Sequence, residues 1–235
     1  MFKLFDSLYK IKVTTIYLLL GFGGLWNFLG FFQSVMSTFA GIMIMIIAHY
    51  ILYEILSKKI TPTDNILSKS SDKYKTNIFY FFIFIVVASW FLEFAGVKTG
   101  YIFGRYSYSN ILIPQIFGVP LAIGFAWFST LIASLGVIQM LTKINLRLIS
   151  VTKKSLLVGF LMTIFDYSLE IAATKLGYWS WQIGIVPVQN YLAWFVFGSL
   201  FAFIGYKFQV LDNRLPKITA HLYLAQMLFF IVSSF

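Results

Sequence analysis

The sequence predicts an all-α, polytopic membrane protein of about seven transmembrane helices, with its N-terminus inside. Three observations predict it. Of 235 residues, 60% are hydrophobic and only 11% are charged, against roughly 25% charged in soluble domains. A globule of this size cannot hide so much apolar surface from water, whereas a bilayer can. The apolar residues fall into seven stretches near the ~20-residue length that one span requires. The 18 Lys and Arg residues are also divided unevenly between alternate loops.

The stretches run at 13–32, 35–56, 77–97, 114–142, 155–175, 189–209 and 218–235. The first has a basic approach but a full-length apolar run and no small-x-small cleavage pattern, so it reads as a retained span. Lys3, Lys10 and Lys12 precede it. Lys58, Lys59, Lys69, Lys73 and Lys75 follow the second stretch, and Lys143, Arg147, Lys153 and Lys154 follow the fourth. Lys207, Arg214 and Lys217 follow the sixth. With seven spans, 15 of the 18 basic residues share one side, and the other side holds Lys98, Arg105 and Lys175. Basic loops stay in the cytoplasm, which predicts a multi-pass protein of the cytoplasmic (inner) membrane with its C-terminus outside. The net charge of +10 then reports topology and contact with anionic lipid, and no nucleic-acid partner is expected. The longest polar segment, 57–76, is too short for a soluble domain. Residues 1–235 read as a single integral membrane domain.

Several chemistries are excluded. The chain has no cysteine, hence no disulfide framework, thiolate nucleophile or cysteine-bound metal. Two histidines, His49 and His221, are too few for a di-iron membrane enzyme. His49 and Glu54 are five residues apart, about 140° around a helix, a poor pair of ligands. No metal site is expected. Gly21-Phe22-Gly23-Gly24 follows no strand, so it reads as a close-packing patch and not a phosphate loop.

Two outward loops resemble each other. Glu93, Lys98, Gly100 and Tyr101 match Glu170, Lys175, Gly177 and Tyr178 at an offset of 77. Val119-Pro120 and Trp127 match Val186-Pro187 and Trp194 at an offset of 67. The pattern predicts a parallel internal repeat of helix pairs, with units at about 77–142 and 155–209. Such repeats place sites between their halves.

Three acids lie inside the apolar stretches. Asp166 falls ~16 Å into its span and Glu170 ~6 Å further out, with Glu93 at a similar outer depth. Asp166 and Glu170 share a helix face with Gly159, Thr163, Ala173 and Gly177. The third span carries Ser89, Glu93, Gly96 and Gly100. Small residues allow close helix approach, so these two spans are expected to pack together with the three carboxyls between them. A carboxylate in hydrocarbon costs ~2.5–3.5 kcal/mol or more and marks function. Burial and mutual repulsion favour the neutral form, so at least one of the three is expected to be an acid able to donate a proton. A structural alternative pairs them with Lys98, Arg105 or Lys175 at the outer rim, or hydrogen-bonds them as glue between helices. Asn27, Gln115, Gln189 and Asn190 are candidates for a polar mouth. Tyr101, Tyr106, Tyr108, Trp179 and Trp181 either form an interfacial belt or present ring faces to a cation.

The stretch from Glu93 through Lys98, Gly100, Tyr101, Gly104, Tyr106 and Tyr108 to Gly118-Val119-Pro120 and Trp127 resembles the membrane carotenoid biosynthesis proteins of the carotenoid 1,2-hydratase type, such as γ-carotene 1′-hydratase and bisanhydrobacterioruberin hydratase. Asp166, Glu170, Gly177-Tyr178-Trp179-Ser180-Trp181, Val186-Pro187, Asn190 and Trp194 resemble that family's second block, which departs at Ile171 where the family has proline. The resemblance implies cofactor-independent hydration of the terminal C1=C2 double bond of an acyclic carotenoid end. Glu93, Asp166 and Glu170 are then the candidate catalytic residues, with Asp166 or Glu170 as acid and Glu93 as partner. Tyr101, Tyr106, Tyr108, Trp127, Tyr178, Trp179, Trp181, Asn190 and Trp194 are the candidate substrate-binding residues. The implied partners are a carotenoid or other isoprenoid lipid, the bilayer and further enzymes of that pathway. Two other classes fit the buried acids: a proton-coupled transporter and a non-catalytic subunit of a pigment pathway. A retinal photoreceptor does not fit, because 218–235 contains no lysine for a Schiff base.

Overall fold

The computed structural model describes residues 2–58, 68–141 and 149–235, with side chains from residue 7 in the first stretch and from residue 72 in the second. Asp64, Lys59, Lys143 and Arg147 lie outside the described residues, as do the side chains of Lys3, Asp6 and Lys69.

The chain is a polytopic all-α membrane protein. Its helices are α1 (Phe2–Phe28), α2 (Gln33–Ser57), α3 (Ser68–Thr99), α4 (Leu121–Leu141), α5 (Val151–Lys175), α6 (Val188–Lys207) and α7 (Ile218–Ser233). Six contain stretches long and apolar enough to cross a membrane. The seventh, α7, is apolar but has 16 residues, short of the ~20 of a perpendicular span. Four short strands interrupt the α3–α4 and α5–α6 connections: β1 (Tyr106–Tyr108), β2 (Gln115–Ile116), β3 (Val119–Pro120) and β4 (Trp179–Trp181).

Local chemistry sets the boundaries. The fourth apolar stretch, expected at 114–142, becomes helical only at Leu121. Pro114 and Pro120 cannot donate to a helix, and Phe117 and Gly118 both adopt left-handed backbone, φ 52° and 81°. Two such residues make the tight turn that pairs Ile116 with Val119. The Ser150 side chain caps α5 by accepting from the Lys153 backbone N–H. α3 stops at Gly100, which has φ 70°.

Helix α4 is the centre of the bundle. It packs against α2, α3, α5 and α7, and every residue from Trp127 to Ile138 is buried. An all-round apolar sequence is what such a position needs. α5 pairs most extensively with α6, and α1 with α7. Lys154 Nζ to Asp212 at 3.2 Å and Gln139 Nε2 to the Asn213 carbonyl at 3.1 Å hold one end of the bundle together. The strands gather at the opposite end.

The expected face-to-face packing of the third and fifth spans does not occur. The missing side chain of Gly159 makes room for α6, where a Cβ would lie 2.6 Å from the Phe195 carbonyl oxygen. Gly96 instead makes room for Phe103 of the following loop. The small-residue stripes serve each helix's own neighbours, and the acids converge by another route.

Candidate functional site

Two loops bring the acids together. β1 and β4 pair antiparallel, with Tyr106 opposite Trp181, Ser107 opposite Ser180 and Tyr108 opposite Trp179. Side chains alternate across a strand, so both tyrosines and both tryptophans face one way, while the two serine hydroxyls meet on the other side at 3.4 Å. Glycines at φ 70° and 73°, Gly100 and Gly177, turn each chain back over its own helix.

Each glutamate is held by its own loop. Glu93 Oε2 accepts from the Tyr106 hydroxyl and, at 2.9 Å, from the Tyr108 hydroxyl. Its Oε1 accepts from Trp127 Nε1 at 3.0 Å. Glu170 Oε2 accepts from Trp179 Nε1 at 2.9 Å and Trp181 Nε1 at 2.8 Å. Asn190 Nδ2 donates to Asp166 Oδ2 at 2.7 Å and reaches Glu170 Oε1 at 3.4 Å. Asp166 Oδ1 is buried without a hydrogen-bond partner among the described residues. Glu93, Asp166 and Glu170 are 4, 1 and 3% exposed. The partners of these acids are therefore phenol, indole and amide groups, and not Lys98, Arg105 or Lys175. Burial first, and the neighbouring Glu93 second, push the Tyr106 and Tyr108 phenols well above the usual tyrosine range, so both remain donors at neutral pH.

The three carboxyls line one small cavity of about 30 Å³. A water needs roughly 10–15 Å³ on this measure, so about two waters fit. Of the candidate substrate-binding residues, Tyr106, Tyr108, Trp179, Trp181, Asn190 and Trp194 contribute to its wall. Trp127 stacks on Trp194 at 4.0 Å and reaches the site through Glu93. Tyr101 stands apart, 86% exposed; its carbonyl accepts from Gln189 Nε2 and its backbone N–H donates to Thr99 Oγ1 at 3.2 Å. Tyr178 is buried in a separate groove with Asn27, Gln33 and Lys175. Of the expected polar mouth, only Asn190 lines the cavity; Gln115 instead donates to the Ser109 carbonyl at 2.5 Å.

Four apolar lining residues were not foreseen: Phe103, Ile123, Ala126 and Leu169. Leu169 was accessible to helical periodicity, three residues beyond Asp166. Nothing in the apolar run of α4 distinguishes Ile123 and Ala126 from their neighbours.

Comparison with known proteins places the chain. No solved structure matches it. A bisanhydrobacterioruberin hydratase of Haloarcula japonica is 27% identical over 120 residues, a stretch covering 49% of this chain and 40% of that protein. The carotenoid biosynthesis protein family matches residues 41–235, which includes every residue lining the cavity. With most of its length so matched, the chain belongs to the carotenoid biosynthesis protein family.

Proposed function

We propose that the protein adds water to the terminal C1=C2 double bond of an acyclic carotenoid end group, without a cofactor. The observation that carries this reading is the cavity itself: three buried carboxyls around a water-sized space, bounded by aromatic rings and aliphatic side chains. Hydration of an isopropylidene group needs a proton donor at the less substituted carbon, stabilisation of the tertiary cation, and a base for the attacking water. Asp166 or Glu170 supplies the acid, with Glu93 as partner. The ring faces of Tyr106, Trp181 and Trp194 stabilise the cation. The activity for which the Haloarcula japonica relative is named, a hydratase, supports the same reaction class. The cavity is too small for a gem-dimethyl end, so the substrate displaces the apolar wall of Ile123, Ala126 and Leu169 as it enters between α4 and α5.

We further propose that the chain is one membrane domain built on two parallel units, about 77–142 and 155–209, with the N-terminus in the cytoplasm of an inner-membrane host. The paired outer loops are then equivalent parts of the two units. A reporter fused after Phe235 should be found outside; a cytoplasmic reporter would overturn the orientation.

The test of the reaction is expression in cells that accumulate lycopene or γ-carotene, followed by pigment mass spectrometry. A product heavier by one water is expected. Neither carotene hydrated, with the protein present in the membrane, would refute the reading for these substrates. Transport without chemical change would favour the transporter class.

A further inference from the structure

Resting on the hydratase reading, we infer that Asp166 is the proton donor through Oδ1, that Glu170 Oε1 is the base, and that Glu93 stays ionised throughout. The argument is an inventory of donors. An indole nitrogen can only donate, and a phenol that donates leaves its acceptor without need of a proton. Glu93 receives three such donors on its two oxygens, Tyr106 and Tyr108 on Oε2 and Trp127 on Oε1. Both oxygens are committed as acceptors, the arrangement that suits a carboxylate. Glu170 Oε2 is likewise committed by two indoles, but its Oε1 has only the long 3.4 Å contact from Asn190. That oxygen keeps lone pairs for a proton.

Asp166 differs from both. Asp166 is buried and lines the cavity; its Oδ2 accepts from Asn190 at 2.7 Å, and its Oδ1 is buried with no hydrogen-bond partner among the described residues. The lining residues include no Lys or Arg. One amide nitrogen touches both Asp166 and Glu170, so the two acids are close neighbours and repel if both are charged. The proton therefore belongs on the acid with the fewest donors. That is Asp166, on Oδ1, the oxygen left without a hydrogen-bond partner among the described residues.

The step balances as follows. The C1=C2 π pair takes the proton from Asp166 Oδ1–H, forming C2–H and leaving a tertiary cation at C1. The cation then faces the new Asp166 carboxylate and the Glu170 carboxylate that awaits the water proton, with Glu93 a third, fixed anion nearby. A water oxygen bonds to C1, and its proton passes to Glu170 Oε1. The Glu170 proton returns to Asp166 through the second water that the cavity admits. Asn190, bonded to both acids, holds them in register for that return and is a positioning residue. The net change is one water added and no proton gained or lost by the protein.

Infrared spectroscopy of the purified protein in lipid, in H2O and D2O, tests the assignment. A protonated-carboxyl band that shifts in D2O is expected in wild type. It should vanish in Asp166→Asn and persist in Glu93→Gln and Glu170→Gln. Loss of the band in either glutamine variant, or no such band in wild type, would overturn the proposal, even if Asp166→Asn failed to fold. On the carotene that wild type hydrates, Asp166→Asn should lower the rate at least ~100-fold, the usual contribution of a general acid, and Asp166→Glu should recover part of it. If wild type hydrates neither carotene, the hydratase reading fails, and the infrared bands still decide which carboxyl holds the proton.

Discussion

Trp127 of α4 and Trp194 of α6 stack face to face, with ring centroids 4.0 Å apart and planes 9° apart. They stand at matching places, each seven residues after a proline, Pro120 and Pro187. The stack buries two large rings directly against the carboxyl cluster, so the helix pairs meet where the acids meet. Only Trp127 also donates to an acid, Glu93.

That asymmetry predicts unequal mutants. Trp127→Phe keeps a stacked ring but leaves Glu93 Oε1 without its donor, which costs ~1–3 kcal/mol for a buried acceptor. Trp194→Phe removes no hydrogen bond to a carboxyl and should cost less. Thermal unfolding of both variants in detergent measures the difference. Equal losses would argue against the Glu93 bond.

The pairing of the α3–α4 and α5–α6 loops can be trapped. The chain has no cysteine, so Ser107→Cys with Ser180→Cys introduces the only two thiols. Their hydroxyls are 3.4 Å apart across an antiparallel pair. Such pairs hold Cα atoms ~4.5–5.5 Å apart, within the range a disulfide spans. Mild oxidation should abolish maleimide labelling of the double variant. Thiols that stay reactive would show that β1 and β4 do not pair in this register.

Gly104 couples the first loop to the start of α6. Its φ is +102°, and a Cβ there would meet Pro187 Cγ at 2.7 Å. Gly104→Ala suffers both the backbone conformation and the clash, about 1–3 kcal/mol for the former alone. A lower melting temperature and faster protease cleavage within 100–120 are expected. Wild-type behaviour in both assays would contradict the contact.

Alkaline stability should report on Tyr178, which lies beyond the end of α5. Burial raises its phenol from 10.0 to about 12. The unfolded chain therefore releases this proton first as pH rises. The stabilisation is present below pH 10 and is lost between 10 and about 12. Tyr178→Phe should flatten the fall in melting temperature across that window. An identical fall in both proteins would place Tyr178 in solvent.

The sequence by itself determined the membrane class, the approximate helix positions and the three acids that lie inside apolar stretches. These are local properties: an apolar run of sufficient length partitions into lipid wherever it occurs, and an ionisable side chain inside it is conspicuous at once. The likeness of the two loops was legible at Glu93/Glu170 and Trp127/Trp194 but not between them. Tyr106-Ser107-Tyr108 and Trp179-Ser180-Trp181 are separated by 73 residues, a spacing that matches neither 77 nor 67. Their pairing emerges only in the tertiary structure.

Tertiary structure alone decided which groups serve the acids. Tyr101 and Tyr178 occupy matching sequence positions as promising as Tyr106, yet both face away from the cavity. Ile123 and Ala126 carry no signal and line it. The expected contact of the third and fifth spans gave way to α4, because each small-residue stripe is filled by its own neighbour. Hydropathy constrains depth in the membrane, whereas rotation about each helix axis depends on which neighbour fits its surface. The acids meet because two glycine-turned loops fold back over their helices and pair, a consequence of backbone path that residue type does not disclose.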